Sequence, residues 1–327
     1  MLHLREGIAA VQQAAPYKDV TLITPTAAMS PAVHGGRAKC LQRLIRLDLP
    51  VPTTVALSFA AVSQIAKGNL PDIERILDPF DGAPLLSVRP SSGDPDWGGP
   101  GAILNIGMND ESFEALSKTI GEDAALALYL RFVQAFAVNV AKLDPEVFDL
   151  PDDPNTDTLK DLLRTYEDEA DEPFPQDVRE QLTQVLRSMA FAWDGATARL
   201  LREARGAPVD AGLGLVVQAM ALGVGNGESG SGVIHFVDAE TGEPKVVGRY
   251  LSQSQGRDAL QRTSGTIYLT KDPRGPSLED LCPDVFADLL AHGAICRVRL
   301  REEMQVEFTV SNGELWILDE VRLQRSK

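Results

Sequence analysis

The chain has 327 residues, 44% of them hydrophobic and 24% charged, which is typical of a globular protein with more than one domain. Its formal net charge of −16 argues against nucleic acid or an anionic membrane surface as the main partner. Three scattered cysteines without CxxC spacing, the absence of any apolar run of about 18 residues and the absence of a signal-peptide pattern predict a cytoplasmic protein with reduced thiols.

The N-terminal part predicts a mixture of short helices and strands. Its predicted elements are helices at 2–14 and 60–67 and strands at 20–24, 55–57 and 84–89. Between them, the pair Gly35-Gly36 precedes a helix that carries Arg37 and Lys39. A helix N-terminus with basic residues can bind phosphate, whereas a glycine pair alone also forms a simple turn.

The segment 86–107 combines an arginine with a loop rich in glycine, proline and serine. An apolar strand ends at Arg89, and the loop follows at once. A guanidinium beside glycines can bind phosphate, because its donors match paired oxygens and glycines let backbone N–H groups approach an anion. The alternative is an arginine hydrogen-bonded to loop carbonyls, and local composition alone favours it.

The middle of the chain is predicted to be helical, and the last third is predicted to be rich in strands. Helices are predicted at 112–120, 124–142, 178–205 and 277–292, and strands at 213–222, 233–237, 245–251, 296–300, 305–310 and 315–319. The acidic segment 144–180 is interpreted as a solvent-exposed excursion and not as a metal site, because it contains no histidine and acidic runs usually lie in water. We expect an α+β fold divided into 1–110, 111–206 and 207–327, with a helical insert between two mixed lobes.

Several elements with phosphate or metal chemistry occur in this one chain. The segments 35–39, 86–107 and 223–232 are rich in glycine or carry arginine, and carboxylates follow at Glu307, Asp319 and Glu320. Basic residues and glycine loops bind phosphates, whereas carboxylates bind Mg²⁺. This combination favours a nucleotide held between two lobes.

Ordered segments then resemble the N-terminal, nucleotide-binding part of pyruvate phosphate dikinase and, more distantly, phosphoenolpyruvate synthase. The similar segments are GG at 35–36 with LPVP at 49–52, SVR to NIG at 87–107, YLRFVQ at 129–134, FPQD at 174–177, VQAM with SGSGV at 217–233, and MQVEFTV at 304–310. The resemblance covers residues 35–325. It implies an ATP-grasp fold with ATP and Mg²⁺ between two lobes, and phosphoryl transfer to a histidine on a separate domain.

The resemblance also implies roles for individual residues. It assigns phosphate binding to Arg37, Lys39 and Arg89, the adenine side to Gln218, Ala219 and Met220, a flexible loop over the phosphates to Ser229, Gly230, Ser231 and Gly232, catalysis to Arg89, Glu307 and Arg322, and metal binding to Glu307. Asp319 is expected as a further metal ligand, because it adds a carboxylate near Glu307. The expected partners are a nucleotide and a separate protein with a phosphohistidine domain, without nucleic acid or membrane.

Departures from the family pattern leave the activity open. Arg37 stands where the family has a lysine, and Gly93 stands where it has a second arginine. Asp319 stands where the family has the glutamine of an LQTR motif, and Arg322 follows one position after the place of that motif's arginine. In a strand, such a shift reverses the face on which a side chain lies, unless a bulge corrects it. Three hypotheses follow: an active phosphotransferase, a catalytically degenerate nucleotide-sensing or scaffold protein, and a protein that keeps the fold but binds no nucleotide.

Overall fold

Two antiparallel sheets carry the fold in the computed structural model, which describes residues 18–82, 85–237, 243–255, 265–300 and 304–322. The expected α+β class is confirmed. The helix expected at 2–14 lies outside the described residues. No helix in the described ranges has the length and apolar character needed to cross a membrane.

The first sheet has five strands in the order β1-β2-β5-β3-β4. These are β1 (Val20–Leu22), β2 (Thr54–Leu57), β3 (Leu86–Ser92), β4 (Ile103–Ile106) and β5 (Leu213–Ala219). Strand β5 lies at the centre because its apolar side chains are buried on both faces. The sheet therefore includes a strand that the expected division at residue 207 assigned to the last lobe, since β5 pairs with β2 and β3.

Most helices cover one face of this sheet or extend from it. They are α2 (Phe59–Ala66), α3 (Ile73–Leu77), α4 (Asp110–Ile120), α5 (Glu122–Asn139), α6 (Thr156–Ala170), α7 (Val178–Asp194) and α8 (Ala196–Ala204), whereas α1 (Pro31–Ile45) packs on the opposite face. The acidic excursion includes α6, which buries Leu159, Leu162 and Tyr166 and exposes most of its charged residues. Aromatic side chains around Phe174 join α6 to α5.

The second sheet has four strands in the order β7-β6-β8-β9, covered on one face by helices. The strands are β6 (Gly230–Val237), β7 (Pro244–Ser252), β8 (Met304–Ser311) and β9 (Glu314–Arg322), and the helices are α9 (Leu278–Leu281) and α10 (Pro283–Leu300). The strand expected at 296–300 is wrong, because these residues continue α10. Val285, Leu289 and Cys296 are buried at helical spacing, which outweighs the short alternating pattern.

Helix α1 lies between the two sheets and belongs to the core that joins them. Its Leu41 and Leu44 are buried in one cluster with Val216 of β5 and Phe308 of β8. Side chains of α1 therefore lie close to both sheets.

The glycines at 230 and 232 lie in strand β6 and not in a loop. A side chain at Gly232 would collide with the carbonyl oxygen of Arg249 and the ring of Phe308, and one at Gly230 would collide with the ring of Tyr250. These glycines are required by close packing across the sheet. The expected flexible loop over the phosphates is thus corrected to a paired strand from Gly230 onward.

Candidate functional site

Two arginines and two carboxylates meet at the junction of the two sheets. Nε of Arg37 donates to Oδ2 of Asp319 over 2.7 Å. Nη1 of Arg89 lies 3.5 Å from Oε2 of Glu307 and 3.6 Å from Oδ2 of Asp319. Side chains that the resemblance assigned to phosphate and metal binding therefore form one charged cluster.

A kink in α1 sets the position of Arg37. Gly35 has φ 85° and ψ 171°, which interrupts the helix, and a Cβ at this position would collide with the backbone of Ser91 in β3. The close approach lets the N–H of Ala38 donate to Oγ of Ser91 over 3.1 Å. Nη1 of Arg37 donates to the carbonyl of Pro90. The glycine thus brings Arg37 beside Arg89, but the N–H of Ala38 at this helix start bonds to protein.

A bulge in β9 directs Asp319 towards Glu307. The register pairs Glu307 with Asp319 but Phe308 with Ile317, so Leu318 is an extra residue in β9. Ile317 therefore shares the core face with Phe308, whereas Asp319 lies on the opposite face with Glu307. The same register places Arg322 opposite Met304, and the side chain of Arg322 lies outside the described part of the structure.

The cluster perturbs the protonation of its members. Burial raises the pKa of Glu307, and the nearby negative charge of Asp319 raises it further, whereas Arg89 and Arg37 oppose the shift. For Arg37, burial favours the neutral form, but Asp319 outweighs it and raises the pKa of the guanidinium. The cluster therefore holds two crowded carboxylates that are partly neutralised by two arginines.

A cavity of about 240 Å³ opens at this cluster. It is lined by Arg37, Arg89, Glu307, Leu318, the strand residues Ser231 and Gly232, and the loop residues Pro100, Gly101 and Ala102 among others. Its walls combine cationic groups with a glycine-containing loop, a combination that suits anions. We refer to it below as the charged cavity.

A larger cleft of about 760 Å³ lies beside it and is mostly apolar. Ala219, Met220 and Leu222 form one wall where β5 ends, and Ile120 and Val224 continue it. Trp316 of β9, Ser229 and Asn312 line it from the side of the second sheet. An apolar cleft with few polar groups is the common form of a small-molecule pocket. We refer to it as the apolar cleft.

The two spaces lie along the same face of the second sheet. In β8, Glu307 lines the charged cavity and Ser311 the apolar cleft, and side chains four residues apart in a strand share a face. Ser229, directly before β6, lines the cleft, and Ser231 of β6 lines the cavity. Residues four apart are separated by about 13 Å along a strand, which sets the spacing of the two spaces on this face.

The structure brings together some of the expected site residues and separates others. Arg37, Arg89, Ser231, Gly232 and Glu307 line the charged cavity, Asp319 pairs with its arginines, and Ala219, Met220 and Ser229 line the apolar cleft. Gln218 is buried in the first sheet, where its Nε2 donates to Oγ1 of Thr54 over 3.0 Å. Lys39 points away, with Nζ 2.8 Å from Oε1 of Gln42. Gly230 is enclosed between β7 and β8.

Sequence analysis missed Trp316 and the Pro90 carbonyl as parts of this region. The alternation of the last strand could have indicated Trp316, but the bulge at Leu318 obscures which face each residue occupies. Sequence carries no signal for the carbonyl, because every residue has one.

The structure places Trp97 beside Gly93, the position at which the family pattern has its second arginine. A Cβ at Gly93 would lie 3.0 Å from ring atoms of Trp97, so the indole occupies the space that a longer side chain would enter. The segment 86–107 therefore contributes one arginine, Arg89 of β3, to the charged cavity.

Comparison with known proteins places this geometry in a family context. Over 87% of its residues, the chain is 29% identical to a pyruvate, phosphate dikinase of Rhizobium meliloti (strain 1021), 26% identical to the chloroplastic enzyme of Flaveria trinervia and 28% identical to chloroplastic enzyme 1 of Oryza sativa subsp. japonica. It spans 36%, 33% and 33% of their lengths, about a third of each. No protein-family model matches the chain. The resemblance inferred from the motifs is thereby confirmed: the chain is similar over most of its length to pyruvate phosphate dikinases, consistent with a nucleotide-binding domain of that type.

Proposed function

We propose that this chain is an ATP-binding phosphotransferase module with an ATP-grasp arrangement, which transfers a phosphoryl group from ATP to a histidine on a separate protein. The observation that carries the proposal is the pairing of an apolar cleft with an adjacent cavity that holds Arg37, Arg89, Glu307 and Asp319. The base fits the cleft and the phosphates the charged cavity. The similarity to enzymes named as dikinases supports the same assignment.

The carboxylates fit the expected Mg²⁺. Glu307 and Asp319 both approach Nη1 of Arg89, and their mutual repulsion raises the pKa of Glu307 beyond the effect of burial. A divalent cation relieves such crowding, and Mg²⁺ in phosphate sites is usually held by one or two carboxylates together with phosphate oxygens. When bound, Mg²⁺ neutralises charge on the transferred group. Glu307 and Asp319 are the residues that would hold it.

The arginines have the complementary role. Arg89 is largely buried, with its side chain 12% exposed, so its charge is poorly screened by water. Its Nε is buried without a hydrogen-bond partner among the described residues. Such a guanidinium can stabilise the charge that spreads over the phosphoryl oxygens during transfer. We assign Arg89 to this role and Arg37 to holding the phosphate chain in place.

The acceptor is assigned to another protein. Within the described residues, His34, His235 and His292 line neither the apolar cleft nor the charged cavity. In the proposed step, the bridging P–O bond between the transferred phosphorus and the nucleotide breaks, a P–N bond to the acceptor imidazole forms, and the nucleotide leaves as ADP or AMP according to which bridge is cleaved. A cytoplasmic location and the division of the chain at residues 110 and 206 remain parts of this proposal.

Calorimetry with Mg-ATP and an exchange assay test the proposal. We expect saturable Mg-ATP binding, and exchange of labelled AMP or labelled ADP into ATP when a purified histidine-bearing domain of a dikinase is added. Arg89→Ala should abolish the exchange, because a transition-state arginine contributes about 10³-fold or more to the rate. Arg164→Ala, which removes an exposed arginine of α6, should leave it unchanged.

One observation favours the degenerate, nucleotide-sensing or scaffold alternative. The charged groups of the cavity are paired with one another, and Trp97 occupies the space beside Gly93. This alternative predicts Mg-ATP binding without exchange in wild type and in Arg89→Ala. Absence of binding at millimolar nucleotide would exclude both functions.

A further inference from the structure

Asp319 contacts both arginines of the charged cavity from a buried position. Its Oδ2 lies 2.7 Å from Nε of Arg37 and 3.6 Å from Nη1 of Arg89, and the residue is 1% exposed. With Glu307, the described cluster contains two positive and two negative side chains, so its formal charge is zero. One nitrogen of each guanidinium, Nε of Arg37 and Nη1 of Arg89, therefore already faces a protein carboxylate.

We propose that Asp319 is a specificity-determining residue. Its carboxylate occupies the position beside Arg37 where a phosphate oxygen would otherwise bind, so the site binds a magnesium–nucleotide complex in preference to a metal-free polyphosphate. The inference rests on the proposed nucleotide-binding function. It adds that one carboxylate of this chain sets the metal requirement of binding.

The energetic argument starts from the buried ion pair. A metal-free polyphosphate that binds through Nε of Arg37 displaces Asp319, which leaves a buried carboxylate without that partner next to a further anion. Breaking a buried pair in this way is strongly unfavourable, and the negative charge of the ligand adds like-charge repulsion. The net charge of −16 provides no compensating attraction.

A divalent cation changes this balance. The carboxylates of Glu307 and Asp319 exchange their arginine partners for the cation, and both guanidiniums then become available to phosphate oxygens. The protein groups change partners without leaving a charge unpaired. Metal and polyphosphate therefore bind cooperatively at this site, beyond their association with each other in solution.

The backbone supports the assignment, because the contact depends on a local irregularity. The extra residue Leu318 moves Asp319 onto the face of Glu307, while Ile317 remains in the core. Without the bulge, alternation would place residues 317 and 319 on the same face. The bulge therefore positions Asp319 for contact with Arg37.

Calorimetry with ATP and with inorganic tripolyphosphate, each with excess Mg²⁺ or with EDTA, tests the inference. We expect wild type to bind both metal-free ligands at least about tenfold more weakly than the magnesium complexes, since a charged hydrogen bond contributes that much to affinity. Asp319→Asn should bind the metal-free ligands at least about tenfold more tightly than wild type does. The affinity difference between the metal-free ligands and their magnesium complexes should therefore become smaller. Asp157→Asn, which removes the same charge from an exposed pair with Lys160, should behave as wild type.

If Asp319→Asn does not fold, Asp319→Gln serves as a second variant, because its longer side chain also keeps an amide oxygen near Arg37. Circular dichroism and thermal unfolding establish that each variant is folded. Unchanged or weaker metal-free binding by folded Asp319 variants overturns the inference, whereas Mg-ATP binding by wild type still supports the proposed function. If wild type and variants bind neither ligand under either condition, the proposed function and the inference both fail.

Discussion

Arg37 and Asp319 are separated by 282 positions in the chain, yet Nε of one lies 2.7 Å from Oδ2 of the other. Arg37 stands at the start of the helix between the two sheets, and Asp319 stands on the last strand of the second sheet. The ion pair therefore links the first and last parts of the described fold at the charged cavity. A ligand that enters this cavity must compete with a contact that also holds the two sheets together.

Trp316 is expected to contribute to nucleotide affinity because it lines the apolar cleft. Stacking of a base on an aromatic ring contributes about 1–3 kcal/mol, so Trp316→Ala should weaken Mg-ATP binding by about fivefold or more. Trp316→Phe should retain much of the affinity. Calorimetry provides the measurement, and Tyr268→Ala, at an exposed aromatic of the same lobe, is the control. Equal Mg-ATP affinities for wild type and Trp316→Ala would show that the base does not bind in this cleft.

Gly232 is expected to be intolerant of even a small side chain. A Cβ there would lie 2.6 Å from the carbonyl oxygen of Arg249 and 2.6 Å from Cζ of Phe308. Gly232→Ala should therefore lower the free energy of unfolding by about 1–3 kcal/mol, as measured by denaturant titration. In Gly275→Ala the new methyl meets Tyr268 at an ordinary 3.5 Å, and we expect little change. A stable Gly232→Ala protein would show that β6 can shift to make room.

Phe174 is expected to be a major source of stability in the helical part. It is 4% exposed, and its ring contacts those of Phe132, Phe136 and Tyr166 at centroid distances of 5.2–5.6 Å. Phe174→Ala should cost about 3–5 kcal/mol, because it removes buried apolar surface and leaves a cavity. Phe191→Ala is the matched control, since Phe191 is 55% exposed. Similar unfolding midpoints for the two variants would contradict the prediction.

Much of the fold was predictable because its elements have strong local patterns. The apolar run of β5 and the helical spacing in α5 identify these elements without tertiary information. The strand predicted at residues 296–300 is wrong, because five residues cannot show whether they continue a preceding helix. Gly230 and Gly232 were assigned to a loop because glycine in sequence does not distinguish a turn from close packing against Tyr250 and Phe308.

The candidate site was predictable in its residue types but not in its pairings. Arg89 and Glu307 were singled out from motifs, and the structure brings them to 3.5 Å. The Arg37–Asp319 pair depends on the kink at Gly35 and the bulge at Leu318, and neither feature follows from local sequence preference. Lys39, two residues from Arg37, lies on another side of the helix and bonds to Gln42, which spacing alone did not reveal.

Glu307 is expected to make stability fall as pH rises through the weakly acidic range. Burial and the charge of Asp319 raise its pKa in the folded protein above the ordinary 4.5, so the folded state binds a proton more tightly than the unfolded chain. The stabilising contribution is therefore fully present below pH 4.5 and is lost as pH rises through the folded pKa. Denaturant titrations from pH 4 to pH 8 measure this loss (about the range in which a shifted carboxyl titrates).

Glu307→Gln cannot lose this proton, so the free energy of unfolding of wild type minus that of Glu307→Gln should decrease with pH across the window. The subtraction cancels the titration of acidic groups outside the cluster of Glu307 and Asp319. Glu169→Gln, which removes an exposed carboxylate from α6, should give a difference from wild type without this decrease. A difference that increases with pH would mean that Arg89 and Arg37 outweigh burial and Asp319 in the folded cluster.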